Sequence, residues 1–333
     1  MLSSSVILDA AREAGFHFAG LARAERIDPG PLERWLAGGL GASMRWMSER
    51  TEERLDPGRL LPGARTVLAL GCCVLTRAHA APSPIALYAQ GRDYHATLRD
   101  RIRVLRRLLA PQAPGVRDYA EVDTGPVLEK VWAQRAGLGF LGKNGMLIVP
   151  GHGSHVVLAV MLLDSEVDRY HSPQPDRCGR CVACLIACPS AAIVSPGIVD
   201  SRRCLSYQTI EEHGDFAEPL RPHARLAFGC DTCQLVCPWN PPGHACDDAR
   251  FEPRPVSRCS LADLAGLSRE RFVELTRGTA IARAHWEGLR RNAWIALGAA
   301  RDPAMLQVAP LADDSDENVR AAARWALSRL PPP

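Results

Sequence analysis

The chain has 333 residues, room for about two domains, with 47% apolar and 23% charged residues and a formal net charge of +3. That balance suits a globular protein able to bury a core and gives no global charge argument for nucleic acid. Only Lys130 and Lys143 of the 40 basic residues are lysine, a bias that genome composition explains as well as function does.

In chain order, MLSSSVILDAAREAG reads as a Ser-capped amphipathic helix, without the basic start, long apolar block and small-residue cleavage site of a signal peptide. The longest apolar run, Val156–Leu163, is too short to span a bilayer. A cytoplasmic protein without membrane attachment is the expectation. Up to about residue 165, strand candidates Thr66–Gly71 and His155–Leu163 mix with helical stretches such as Tyr94–Leu109, an α/β or α+β pattern. In that helix Leu98, Ile102, Leu105 and Leu109 recur every three to four residues, and the arginines between them read as a solvated basic face. Cys72 and Cys73 adjoin in a strand and should point to opposite faces.

The stretch Val122-Asp-Thr-Gly-Pro-Val-Leu-Glu129 sets Asp123 beside a turn, ahead of an apolar helix. An aspartate there can cap the helix or serve as a proton source, and the residues alone leave both open. No G-x-G-x-x-G follows a strand, which excludes a Rossmann dinucleotide site. The glycines of Gly137-Leu-Gly-Phe-Leu-Gly-Lys-Asn-Gly145 could let backbone approach a phosphate or cofactor, or could be plain turns. His152 and His155, in GHGSH, read as turn and strand residues.

A second region, 166–248, opens in a His-Ser-Pro-Gln-Pro linker and carries eight cysteines. Cys178-Gly-Arg-Cys181-Val-Ala-Cys184-Leu-Ile-Ala-Cys188-Pro189 has the C-x2-C-x2-C-x3-C-P spacing in which three thiolates hold one iron-sulfur cluster and the fourth reaches another. Cys230-Asp-Thr-Cys233-Gln-Leu-Val-Cys237-Pro238 and the lone Cys204 complete two sets of four. The crossing rule assigns Cys178, Cys181, Cys184 and Cys237 to one 4Fe-4S cluster, and Cys188, Cys204, Cys230 and Cys233 to the other. Zinc is the alternative, but zinc sites rarely need a third and fourth thiol at such spacing plus a trailing proline. Cys246 and Cys259 stand apart.

From residue 249 the character changes. Arg290-Arg-Asn-Ala-Trp-Ile-Ala-Leu297 and Arg320-Ala-Ala-Ala-Arg-Trp-Ala-Leu327 repeat at a spacing of 30 residues, and helical repeats of this kind stack into a solenoid. Such a segment presents a surface to a macromolecule or packs as a lid. On the first reading Arg290, Arg291 and Arg320 would lie along one edge and contact nucleic-acid phosphates.

EVDTGPVLEKVWAQRAGLGFLGKNGMLIV, CGRCVACLIACP, CLSYQTIEEHG, FGCDTCQLVCPWN and RRNAWIALG, in that order over essentially the whole chain, resemble the epoxyqueuosine reductase family. The resemblance implies an α+β multidomain enzyme. Its parts would be an α/β, nitroreductase-like cobalamin-binding domain related to that of reductive dehalogenases (1–165), a ferredoxin-like module with two 4Fe-4S clusters (166–248), and a HEAT-like helical repeat touching tRNA (249–333). It implies reduction of epoxyqueuosine to queuosine in the tRNA anticodon loop by cob(I)alamin, with electrons from an external flavodoxin or ferredoxin. Asp123, in the family's V-D-x-x-P-V-L-E motif, inherits the role of proton donor. Arg92, Tyr94, Lys143, Ser206 and Asp231 lie in segments that resemble the family's cobalamin contacts. The C-terminal segment is short for the family. Asp93-Tyr-His95 approaches the Asp-x-His-x-x-Gly of proteins that ligate cobalamin through histidine, but Leu98 stands where glycine is required, so histidine ligation is not expected. Two other readings fit the cysteines: a reductive dehalogenase-like enzyme acting on a small organic halide, and a diferredoxin electron carrier, against which stands the size of the first region.

Overall fold

The computed structural model describes residues 1–80, 82–240 and 245–330. Its strands are β1 (Phe18–Arg23), β2 (Thr66–Cys73), β3 (Asp118–Glu121), β4 (Phe140–Leu141), β5 (Leu147–Ile148), β6 (Val156–Leu163), β7 (Ile193–Ser195) and β8 (Ile198–Val199). The main sheet has the order β1-β2-β6-β3, antiparallel throughout. At its centre lie the two apolar runs, with Leu68 opposite Met161 and Leu70 opposite Ala159. Leu68, Leu70 and Cys72 with Ala159, Met161 and Leu163 face a core shared with helices Ser4–Glu13 and Tyr94–Leu109. Val67, Ala69, Val160 and Leu162 face a second core containing Leu55 and Trp132. Side chains alternate across a strand, so a strand covered on both faces reads as one continuous apolar run.

Helix Tyr94–Leu109 keeps the anticipated stripe, Leu98, Ile102, Leu105 and Leu109 all being buried. Its arginines are solvated with one exception. Arg101 is 2% exposed, pairs with Asp248 and donates to the Cys72 sulfur at 2.6 Å. The cause is a return of the chain: the Cys246 N–H donates to the Leu75 carbonyl at 2.7 Å, and Phe251 enters the first core. A buried guanidinium needs such a partner.

The C-terminal helices share a third core with the cysteine region. Leu205, Ile210, Phe216 and Phe228 pack with Leu289, Trp294, Leu297, Val319 and Ala323. Helices His285–Ala300 and Glu317–Leu327, which carry the two repeats, pack on one another. A Cβ at Gly298 would lie 2.6 Å from Ala326 Cα, so glycine is what permits this approach.

The repeat arginines do not form the edge expected of them. Arg290 and Arg291 are 5% and 1% exposed. Arg290 pairs with Asp314 at 2.5 Å and donates to the Ala265 carbonyl. Arg291 donates to the carbonyls of Gln208, Glu212 and Gly214, while Asn292 donates to those of Thr209 and Ala227. Arg320 is half-buried and bonds to the carbonyls of Asp314 and Ser315. Arg291 and Asn292 therefore clamp the C-terminal helices onto the cysteine region, donating to backbone oxygens that would otherwise be buried without donors, while Arg290 ties its helix to Ala265 and Asp314 within the C-terminal region. Among the described residues no helix is long and apolar enough to cross a membrane.

Candidate functional site

The thiols fall into two groups. Cys178, Cys181, Cys184 and Cys237 line one cavity with Lys143, Asn144 and Trp239. Short helix Ala183–Ala187 lies against Thr232–Leu235, which brings the two distant runs together. Lys143 Nζ donates to the carbonyls of Gly179 and Cys181 at 2.7 and 2.9 Å, and its N–H reaches the Cys178 sulfur at 3.5 Å. The glycines before it serve packing: a Cβ at Gly139 would sit 2.2 Å from the Ile148 carbonyl oxygen in the β4–β5 hairpin.

In the second group, burial and the charges of Cys230, Cys204 and Cys188 push the Cys233 thiol up to about 12. Burial likewise raises Cys204, with Cys230 and Cys188 adding to it. Thiols crowded this way resist ionising together, and a cation among them reverses that preference. The N–H groups of Ser206 and Tyr207 donate to the Cys204 sulfur. Asp231, next to Cys230, is buried and accepts the Leu87 N–H at 2.7 Å. Burial pushes its carboxyl up to about 6 against that bond. Asp231, Cys230, Leu205 and Thr209 line a cavity of about 410 Å³.

Asp123 lies in the first region with φ 61°, in the left-handed range that costs a side chain of this size strain. The capping role is not realised: the following helix, Glu129–Arg135, has Leu128 at its N-cap, without a side-chain bond. Instead the Asp123 N–H donates to Glu129 Oε1 at 3.0 Å and its carboxylate accepts from His95 Nε2 at 3.0 Å. His95 Nδ1 lies 2.7 Å from Asp93 Oδ1, and Asp93 also caps helix Tyr94–Leu109. The imidazole thus bridges two carboxylates and stacks on Tyr94 at 4.0 Å. Tyr94 bonds to Asp123 as well.

Charge is shared unequally in this group. Burial lowers His95, but its bonds to Asp123 and Asp93 outweigh that and raise it to about 9. Burial raises Asp123, yet His95 and the Tyr94 hydroxyl hold it below its ordinary value. Near neutral pH the proton of the pair therefore rests on His95. Burial, with the Asp123 charge, pushes Glu129 up to about 7.

These groups are enclosed and wet at once. The Asp123 side chain is 53% exposed and Lys130 is exposed, yet surrounding protein raises Glu129 and lowers the Lys130 ammonium. A surface cleft reconciles the two: water reaches Asp123 and Lys130 while protein flanks them. Tyr88, edge-on to Tyr94 at 6.1 Å, feels burial first and then the charges of both Asp123 and Asp231, which raise its hydroxyl. It marks the passage from the cleft to the second thiol group. Arg283, paired with Glu211 at 2.7 Å, adds positive potential at Asp123.

Of the residues singled out in the sequence, Asp123 and Tyr94 meet in the cleft, and Ser206 and Asp231 lie at the second thiol group. Arg92 pairs with Asp100 at 2.8 Å, and Lys143 is committed to the first thiol group. Sequence reasoning missed His95 and Glu129 as partners of Asp123. The available signal was Asp93 as a cap, which places His95 on the first helical turn, and Glu129 as the last residue of the same acidic motif. Cys72 and Cys73 do divide: Cys72 enters the first core, while Cys73 meets Cys246. His155 is buried, which lowers its imidazole to about 4.

Residues 177–240 match the family model described as 4Fe-4S double cluster binding domain, and residues 54–124 match that of Epoxyqueuosine reductase QueG, DUF1730. The epoxyqueuosine reductase of Gloeobacter violaceus is 42% identical over 314 residues, 90% of this chain and 97% of that protein. That of Escherichia coli K12 is 36% identical over 297 residues, 86% of this chain and 78% of that protein. A crystal structure of epoxyqueuosine reductase with an epoxyqueuosine-modified tRNA-Tyr stem loop superposes with a TM-score of 0.89 at 30% identity, covering 98% of this chain and 89% of that one.

Proposed function

The chain belongs to the epoxyqueuosine reductase family, and from that membership we propose that it reduces epoxyqueuosine to queuosine in the anticodon loop of a tRNA. The observation that carries the reading is the enclosed cleft, where a proton-holding Asp93–His95–Asp123 array adjoins a double-cluster module. Opening the epoxide to an alkene consumes two electrons and two protons and releases the oxygen as water. The site must therefore supply both.

Electrons enter through the clusters, Cys178, Cys181, Cys184 and Cys237 holding one and Cys188, Cys204, Cys230 and Cys233 the other. N–H groups aimed at the Cys204 sulfur stabilise the added negative charge when that cluster is reduced. The cofactor that the family resemblance implies, cobalamin, is a broad macrocycle with amide arms, and the donor set suits it. The cleft admits water around Asp123 and Lys130, and Tyr94 stands in it against Asp123; Ser206 and Asp231, at the second thiol group, lie in segments that the family resemblance assigns to the cofactor. When bound, cobalamin supplies a strongly reducing cobalt centre for the epoxide.

The proton chemistry belongs to the protein's own residues. His95 holds the proton, Asp93 fixes the ring from behind, and Asp123 faces the cleft to pass the proton to the departing oxygen. Glu129, near 7, holds the Asp123 loop by its N–H and keeps a second proton within the same wall. The modified base must leave its stack to enter such a cleft, and single-stranded loop bases do so readily. The test is to incubate the cofactor-loaded protein with a chemical reductant and an epoxyqueuosine-containing stem-loop. Loss of one oxygen atom from the nucleoside, read by mass spectrometry, is the expected result; an unchanged mass refutes the reading.

A further inference from the structure

Electrons for this reaction come from outside the chain, and the cluster module carries a surface suited to receive their carrier. Ile186 is 80% exposed, and Val182 and Val236 are 43% and 40% exposed. They sit on or beside the two short helices, Ala183–Ala187 and Thr232–Leu235, which lie against each other and bear Cys184 and Cys233. Scattered exposed aliphatic residues need no explanation, but a group on adjoining elements marks an interaction site. Here the group covers the outer thiol set, whose Cys181 is exposed. The inner set lies towards Asp231, which shares a cavity with Cys230 and whose charge reaches Tyr88.

The rim is basic. Arg177 and Arg180 are exposed beside Cys178 and Cys181. Among the described residues Arg177 reaches only the Gln174 side chain, at 3.5 Å, while the nearby Asp176 carboxylate accepts from the Cys178 N–H.

We propose that the face formed by Val182, Ile186 and Val236, rimmed by Arg177 and Arg180, is the docking surface for a small acidic one-electron carrier protein, which delivers electrons to the outer cluster. The inference rests on the function proposed above. An apolar centre within a rim of one charge sign matches a partner of opposite charge and sets its approach rate. A patch of this size suits the small interfaces of transient redox complexes. RNA fits it poorly, because three aliphatic side chains offer phosphates nothing and bases no stacking face. At each encounter the carrier is oxidised by one electron and the outer cluster reduced by one, so one turnover takes two encounters.

The test uses the iron-replete protein and reduced flavodoxin as the probe, with affinity measured by calorimetry at low and high salt. Wild-type affinity should fall with salt. Ile186→Asp should weaken it at least tenfold, and Arg180→Glu should weaken it and flatten the salt dependence. Iron content and turnover driven by dithionite should be unchanged in both variants. Unaltered flavodoxin affinity overturns the proposal. So does a loss of stem-loop affinity in its place, or a dimer that the aspartate variant dissociates in sedimentation. If the wild-type protein fails to reduce the stem-loop even with dithionite, the functional reading falls, while flavodoxin affinity still judges the surface.

Discussion

Replacing His95 by glutamine separates the group that stores the proton from the group that delivers it. In the wild type His95 is raised to about 9 by Asp123 and Asp93, so at pH 7.5 the pair is almost fully loaded. In His95→Gln the proton must sit on Asp123 itself. With an ordinary aspartate value of about 3.9, only on the order of 10⁻³ to 10⁻⁴ of the molecules carry it at pH 7.5. Burial, the largest influence on Asp123, recovers part of this, so single-turnover reduction should slow by roughly 10²- to 10³-fold at that pH. The pH profile is the sharper readout. Wild-type rates should hold to about pH 9 and fall above it, whereas the variant should fall tenfold per pH unit from below neutrality and recover near pH 5. Pre-reduced enzyme in single turnover removes the pH dependence of the electron donor. The stability sign follows from the same shift. His95 rises on folding from 6.5 to about 9, so its stabilisation, on the order of 3 kcal/mol at most, is complete below about pH 6.5 and lost as pH rises through about 9. A variant with near wild-type rate and an unshifted profile would refute the relay.

Asp123→Asn should keep cluster and cofactor content while turnover drops by roughly 10², and low pH should not rescue it; recovery near pH 5 would assign delivery to another group. Iron analysis should give about eight irons per chain, and Cys204→Ser should lose the inner cluster while the outer one keeps its spectroscopic signal; stoichiometric zinc would contradict both. Arg291→Ala should destabilise the fold by about 3–5 kcal/mol, because several carbonyls lose a buried charged donor, read as a lowered denaturation midpoint. The salt dependence of stem-loop binding, measured where the variant is still folded, should not change; a reduced slope would return this arginine to the RNA surface.

The thiol pattern was legible in the sequence because cluster ligation is written in short spacings, and three of the four outer thiols come from one run of seven residues, Cys178–Cys184. The sheet's central strands were legible for a similar reason: burial on both faces forces uninterrupted apolar runs at β2 and β6. Asp123 could be picked out as a candidate acid, but its choice between cap and acid turned on where its carboxyl points, which depends on His95, 28 residues earlier. The arginines show the limit most clearly. Arg99 and Arg101, or Arg290 and Arg324, look alike in the sequence, since an arginine that solvates a surface and one that clamps a buried carbonyl have the same helical spacing. Only the tertiary structure, by folding segment 246–251 back onto the first core, seating Leu205–Ile210 against His285–Ala300 and bringing Ala265 and Asp314 to Arg290, decided that Arg101, Arg291 and Arg290 are enclosed. A charge taken from water must find partners brought by distant segments, and no local pattern records which segments those are.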